Sequence, residues 1–325
     1  MGFSDVSPVL TTESVLRTID EATPRSDAAE MAPEVPYQAM LAGTSAEEVV
    51  RTQYLGVANL YRSRGMMLVI NVGPANGLAR DLEAPQLLAL HRSITEPAIQ
   101  LLYRKFVTAV DTIIHPDYLG FAVETNLIRL ASPGPVYQAM KVMANVAAGE
   151  ARARGTAAKL FVSVQVDVAW GRLGGATPTY AGIAQDLTDF PFINVVGLSS
   201  YPYLSGFATP EEVPLNYYSR LATDAGRPVL VAEGGWSSTT ASPYPSSPAL
   251  QARYIHRQMD LLDAAHAIAV FQLTYTDIDP VSYGSPAGLS PFIYLGLVDK
   301  DFHPKPALAA WDSAFARPRA SGAAR

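Results

Sequence analysis

Two glutamates stand where a carboxylate is costly unless it has a partner or a task. Glu233 closes the apolar run RPVLVAEGGW, and Glu124 closes YLGFAVET. An ionised carboxylate at the end of so apolar a strand must be paired, hydrogen-bonded or brought out to a surface. Two carboxyl groups about 5–5.5 Å apart can cleave a glycosidic bond with retention, one serving as acid and then base, the other as nucleophile. A strand-end glutamate is also commonly a boundary residue facing solvent. The pair therefore acquires its chemistry only if the fold delivers both side chains to one place.

Other residue types offer weaker alternatives. Ser199 and Ser200 end INVVGLSSYPY, and Ser237 and Ser238 follow Trp236. A serine beside a base can attack an ester, which makes Ser200 an alternative nucleophile. No G-x-S-x-G elbow is present, and loop or capping roles are the commoner use of such serines. Trp170, Trp236, Tyr201, Tyr203 and Tyr275 are candidates to line a cleft or stack on a sugar face, with core packing as the competing use. Asn71, after MMLVI, and Asn126, in ETN, are candidate substrate contacts, whereas Asp167 in VQVDVAW and Trp311 in a helical pattern read as structural. The five histidines, His91, His115, His256, His266 and His303, show neither H-x-H nor H-E-x-x-H spacing, and cysteine is absent. No catalytic metal is expected. The glycines of GRLGGATP, from Gly171, match neither dinucleotide nor P-loop spacing, so no cofactor is expected.

The elements that must position these residues alternate. Eight short apolar runs are MGFSDVSP, SDAAEMAP, MMLVINVG, YLGFAVET, KLFVSVQVDVAW, INVVGLSSYPY, PVLVAEGGW and IAVFQLTYTDID. Continuous apolar runs fit strands buried on both faces. Helical patterns lie between them: AEEVVRTQYLGVANLYRSR behind a Ser45/Glu48 capping box and before Gly65; Pro85 to Ile114 interrupted at Pro97; VYQAMKVMANVAAGEARARG; EEVPLNYYSRLATDAG; ALQARYIHRQMDLLDAAH; and KPALAAWDSAF. Strand and helix repeated eight times predict an α/β fold, a (β/α)₈ TIM barrel, with a doubly wound open sheet as the alternative. The barrel is expected to be a single domain over 1–313, with 314–325 a flexible tail. In a barrel, functional residues close the strands and fill the loops that follow them, and strands four and seven face one another across that mouth.

Composition bounds the partners. The chain has 325 residues, 49% hydrophobic and 17% charged, with a net charge of -6. That balance supports a large core and argues against a nucleic-acid surface, which needs clustered Lys and Arg. The amino terminus, MGFSDVSPVL, has no signal-peptide pattern, and no apolar run approaches the roughly 18 residues of a membrane helix, so a soluble protein of undefined compartment is expected.

RPVLVAEGGW, with INVVGLSSYPYL before it and GLVDKDFHPKPALAAW after it, resembles the second half of clan A glycoside hydrolases, nearest in look to arabinogalactan endo-β-1,4-galactanases and related uncharacterised barrels. The resemblance implies Glu124 as acid/base, Glu233 as nucleophile and Tyr201 as the tyrosine that hydrogen-bonds the nucleophile. The clan usually carries Asn directly before the acid/base, and here that residue is Val123. Tyr275 and Asp277 stand where a tryptophan platform is common. The function so implied is retaining hydrolysis of a β-linked oligo- or polysaccharide. In such a site burial and the charge of Glu233 would keep Glu124 protonated near neutral pH. An ester hydrolase and a non-catalytic carbohydrate-binding barrel are the alternatives.

Overall fold

A computed structural model describes residues 1–173, 178–241 and 243–318. Each of the eight apolar runs contributes a strand: β1 (Gly2–Ser4), β2 (Ala28–Met31), β3 (Met67–Asn71), β4 (Tyr118–Gly120), β5 (Lys159–Gln165), β6 (Val195–Ser200), β7 (Val229–Gly234) and β8 (Phe271–Gln272). They form one sheet in the order β7-β6-β5-β4-β3-β2-β1-β8, and a parallel bridge from Val231 to Val270 links β7 to β8. The fold is a (β/α)₈ barrel, and the doubly wound alternative is excluded.

The register follows the apolar runs. Val69, Ile70 and Asn71 pair with Tyr118, Leu119 and Gly120, which pair in turn with Lys159, Leu160 and Phe161. In β5 every residue after Lys159 is buried, as a strand covered on both faces requires. The chain packs as two compact units. One comprises Met1–Ala28, Val166–Gly182 and Leu198–Arg325 and holds β1, β7 and β8; the other comprises Ala29–Gln165 and Ile183–Gly197 and holds β3, β4 and β5.

Several expected helices differ in detail for local reasons. The Ser45 hydroxyl accepts the Glu48 N–H at 3.1 Å, opening a helix that runs through a π turn at Val50–Tyr54 into Leu55–Ser63, with Gly65 in a left-handed conformation beyond it. Pro97 begins the helix Pro97–Ala109 instead of interrupting one, because a first-turn residue needs no N–H bond. The EEVPLNYYSRLATDAG pattern forms only a 3₁₀ turn at Pro210–Glu212 and the helix Ser219–Ala225; Pro214 cannot continue a helix. Helix Pro306–Phe315 runs past the boundary expected at 313, and residues 319–325 of the anticipated tail lie outside the described residues. No helix among the described residues is long and apolar enough to cross a membrane.

One contact fixes the chain after β8. A Cβ on Gly296 would lie 2.1 Å from the Thr276 carbonyl carbon and 2.2 Å from the Asp277 nitrogen, both backbone atoms that cannot yield singly. The Gly296→Ala variant should lose at least about 2 kcal/mol of stability in urea unfolding, the cost of overpacking against an immobile neighbour. An unchanged midpoint would contradict this packing.

Candidate active site

The carboxyl end of β4 is built around Glu124. The ladder stops at Gly120, and Glu124 takes φ 53°, ψ 50°, a left-handed conformation that non-glycine residues rarely adopt. Neighbouring bonds hold it there. The Glu124 N–H donates to Ser163 Oγ at 2.9 Å, and its carbonyl accepts from the N–H groups of Leu127 and Ile128, opening the helix Thr125–Ala131. Next in the chain, Thr125 Oγ1 donates to Asp186 at 2.8 Å, and Arg129 completes that buried cluster at 3.0 Å. Burial pushes the Asp186 carboxyl up, against the pull of Arg129.

The Glu124 carboxylate accepts from Arg80 Nε at 2.7 Å, with both side chains only 9% exposed. Arg80 is itself held. Its Nη1 donates to the Asn76 carbonyl at 2.9 Å, its own carbonyl accepts from Ser132 Oγ at 2.6 Å, and Asn76 Oδ1 caps the N–H groups of Leu78 and Ala79. Sequence reasoning passed over Arg80. The available signal was the Asn76-Gly77 turn after β3, with a single basic residue three positions beyond it.

Two asparagines near this carboxylate differ in availability. Asn126 Nδ2 donates to the Gln165 carbonyl at 2.9 Å and Oδ1 accepts the Gln165 N–H at 2.8 Å, so its amide is committed to β5. It is 1% exposed and is a structural staple, not the substrate contact expected. Asn71, at the end of β3, is buried, and its Oδ1 has no hydrogen-bond partner among the described residues. Val123, buried, lies beside Gly73 in the loop after β3, 3.4 Å from where a Cβ on that glycine would sit.

In the other unit, Glu233 is the one residue of β7 that is not buried. Both residues after it favour glycine, Gly234 for lack of space and Gly235 for its φ of 152°. A Cβ on Gly234 would lie 2.6 Å from the Ser200 carbonyl oxygen, which also accepts the Gly235 N–H at 3.2 Å. Ser200 is fully buried and its Oγ accepts from Tyr218 OH at 2.9 Å; no histidine or carboxylate hydrogen-bonds it among the described residues. It therefore lacks both the base and the access that a nucleophile needs. Ser237 Oγ donates to the Thr239 carbonyl, and Ser238 Oγ to that of Tyr294.

The aromatic candidates divide. Tyr201 lies at the end of β6 with its ring edge-on to Phe292 at 5.1 Å. Trp170 is half-buried, donating Nε1–H to the Tyr217 carbonyl at 3.0 Å and stacking on the Tyr217 ring at 5.4 Å. Asp167 is fully buried and accepts from Ser205 Oγ at 2.6 Å and from Tyr217 OH, in keeping with a structural role. Three candidates belong to the core instead of a cleft. Trp236 is 1% exposed, donates to Ser246 Oγ and packs on Tyr203 and Tyr254. Tyr203 OH is spent on the Pro291 carbonyl at 2.8 Å. Tyr275, also 1% exposed, accepts from Arg25 Nη1 at 3.2 Å and sets its ring against Phe3, while Arg25 pairs with Asp312 at 2.7 Å. In each, a buried polar tip already has its partner, leaving nothing to offer a ligand.

Asp277 pins the loops after β7 and β8. Lys305 Nζ donates to Asp277 Oδ1, to Ser238 Oγ at 2.9 Å and to the Gly296 carbonyl at 2.9 Å. Burial pushes Asp277 up to about 6 despite the ammonium, and burial likewise lowers Lys305. Among the described residues no group of three His, Cys, Asp or Glu is arranged to hold a metal ion.

No family model matches the chain, and no curated protein matches it in sequence. Solved structures match it in fold. The chain is similar to the GH5_18 enzyme of Bifidobacterium longum subsp. longum, solved with Manβ1-4GlcNAc, at 15% identity and a TM-score of 0.67 over 94% of this chain and 73% of that one. It is similar to an exo-β-1,4-mannosidase from an Opitutaceae bacterium at 15% identity and a TM-score of 0.64, over 97% of this chain and 58% of that one. A β-glucuronidase from Ruminococcus gnavus, solved with uronic deoxynojirimycin, gives 13% identity and 0.57, over 97% of this chain and 49% of that one. The chain shares the barrel fold of these proteins and spans about half to three-quarters of their lengths.

Two predictions follow from the buried charges. Removing the guanidinium in Arg80→Met leaves a buried carboxylate and should cost about 3–5 kcal/mol in chemical unfolding, whereas the double variant Arg80→Met/Glu124→Gln should recover most of that loss. Additive losses would show that the pair is not coupled. For Asp277, the folded carboxyl sits above its unfolded value of about 3.9, so the native state binds the proton more tightly. Its contribution to stability should therefore fall as pH rises from about 4 to about 6, and Asp277→Asn should flatten that part of the stability profile. A profile with the same slope in wild type and variant would refute the assignment.

Proposed function

We propose that the chain is a retaining glycoside hydrolase of clan A type that acts on β-linked sugars, with Glu233 as nucleophile and Glu124 as acid/base. The observation that carries the reading is Glu124 itself: a carboxylate held in left-handed backbone at the carboxyl end of β4 and clamped by Arg80. Backbone strain of about 1–3 kcal/mol persists only where surrounding bonds over-determine it, and it concentrates at functional sites. The fold adds support, because its solved neighbours include a mannosidase and a glucuronidase specific for β-linkages by name.

In the first step, taken by the form in which Glu124 carries a proton in place of its ion pair with Arg80, a Glu233 oxygen forms a bond to the anomeric carbon while the bond to the leaving oxygen breaks, and that oxygen takes the Glu124 proton. The negative charge that appears on Glu124 develops against Arg80. Water then gives a proton to Glu124 and attacks the glycosyl-enzyme, releasing Glu233. Tyr201 is assigned to the nucleophile, and Trp170 to the sugar face. With Val123 in place of the usual asparagine, the contact to a sugar hydroxyl is assigned to Asn71, whose enclosed Oδ1 must turn outward to make it. The ester-hydrolase reading has lost its nucleophile, since Ser200 is enclosed.

Aryl β-glycosides provide the test. Glu124→Gln and Glu233→Gln should each lower kcat by about 10²–10⁴ on whichever glycoside the wild type cleaves. Proton NMR should show the β-anomer as first product. If both variants keep most of the wild-type rate, or the α-anomer appears first, the two-glutamate mechanism is wrong; binding without turnover would make the chain a carbohydrate-binding barrel.

A further inference from the structure

Arg172 differs from the other half-buried guanidinium groups in its unit. It follows β5, is half-buried, and stacks its guanidinium on the Phe207 ring with 3.8 Å to the centroid. Its Nε is buried with no hydrogen-bond partner, and no carboxylate pairs with it among the described residues. Half-buried guanidinium groups elsewhere in the unit are paired, as Arg25 is with Asp312, and Arg257 donates to the Val213 carbonyl. A buried N–H without an acceptor is costly, so the Nε calls for an acceptor that arrives from outside the described residues.

The surroundings hold Arg172 in place and continue the surface. Ala181 and Gly182 both donate N–H to the Ala169 carbonyl, closing the stem of the loop that carries it. At Gly171 (φ 66°) a Cβ would lie 2.1 Å from the Thr179 carbonyl oxygen, so only glycine permits that closure. Phe207 packs edge-on against Tyr217 at 5.8 Å, Tyr217 stacks on Trp170 at 5.4 Å, and Trp170 meets Tyr180 edge-on at 5.2 Å. Arg220 then lies over the Tyr180 ring, 3.4 Å from its centroid, and it too has no paired carboxylate among the described residues. A run of aromatic rings thus has a guanidinium at each end.

We propose that this run, at the carboxyl ends of β5 and β6, is a subsite for a sugar residue carrying an anionic oxygen group, a carboxylate or a sulfate, with Arg172 as the residue that selects the charge. Tyr217 stacks on the Trp170 ring and Arg220 lies 5.4 Å over it, so the second guanidinium also reaches this run. A guanidinium stacked on an aromatic ring presents its N–H groups in its own plane, where they can make bidentate bonds to anionic oxygens. The inference names a substrate class and rests on the glycosidase reading for the reaction, but not for the binding.

Calorimetric titration tests it, using the Glu233→Gln chain to keep the sugars intact. The probes are β-1,4-linked trimannuronate, β-1,4-mannotriose and O-sulfated mannotriose, at low ionic strength. One of the charged sugars should bind at least about tenfold more tightly than mannotriose, with the advantage shrinking as salt is added. The tighter of the two identifies carboxylate or sulfate. Arg172→Gln should bring charged and neutral sugars to within about twofold, and Phe207→Leu, which removes the ring beneath the guanidinium, should do so in part. Equal affinity for charged and neutral sugars, including no binding of any, overturns the proposal, as does a charge preference that survives both variants. Cleavage of the same sugars by the wild type separates the two readings: charge-selective binding without cleavage sinks the glycosidase and leaves the subsite, and cleavage of mannotriose without charge preference does the reverse.

Discussion

A parallel sheet covered on both faces admits a polar side chain only where a partner meets it. Strands β3, β4 and β5 are buried almost throughout, and the carboxyl groups that approach them are each answered: Glu124 by Arg80, Asp186 by Thr125 and Arg129. The same holds in the other unit, where Asp167 is met by two hydroxyls and Asp277 by an ammonium. Because leaving such a group unanswered costs more than pairing it gains, these partners fix the loops at the carboxyl ends of the strands as firmly as the apolar core fixes the strands.

That accounting distinguishes structure from function. Where every donor and acceptor is spent inside the chain, as at Asn126, Tyr203 and Trp236, the residue is part of the frame however suggestive its type. Where one remains unspent, the frame has been built at a cost that its own contacts do not offset. Asn71 Oδ1, at the end of β3, and Arg172 Nε, beyond the short helix Val166–Ala169 that follows β5, are two such atoms. Glu124 carries the same message in its backbone, since its left-handed conformation serves no turn that glycine would not make more cheaply.

How much of this could be read from the sequence depends on the range of the interaction. All eight strands were legible because burial on both faces writes itself as a local apolar run, and the Ser45 cap because its partner is three residues away. The availability of a side chain was not legible, because what occupies it comes from far along the chain: Arg25 reaches Tyr275, and Pro291 takes the hydroxyl of Tyr203. Arg80 was missed for the same reason, since nothing in its own loop says that it meets the end of β4. The helix expected from Glu211 fails for a local reason that periodicity outweighed, namely Pro214.

The GGW after Glu233 shows how a local spelling can encode a distant constraint. Gly234 lacks a Cβ because the Ser200 carbonyl occupies that space, and Gly235 donates its N–H to the same oxygen. The end of β7 is thus drawn against the end of β6, and Trp236 is turned inward onto Tyr203 and Tyr254. A larger residue at Gly234 would push the two strand ends apart and carry Glu233 with them. The tryptophan that looked like a sugar platform anchors the strand end instead, and the glutamate beside it owes its position to two residues with no side chain.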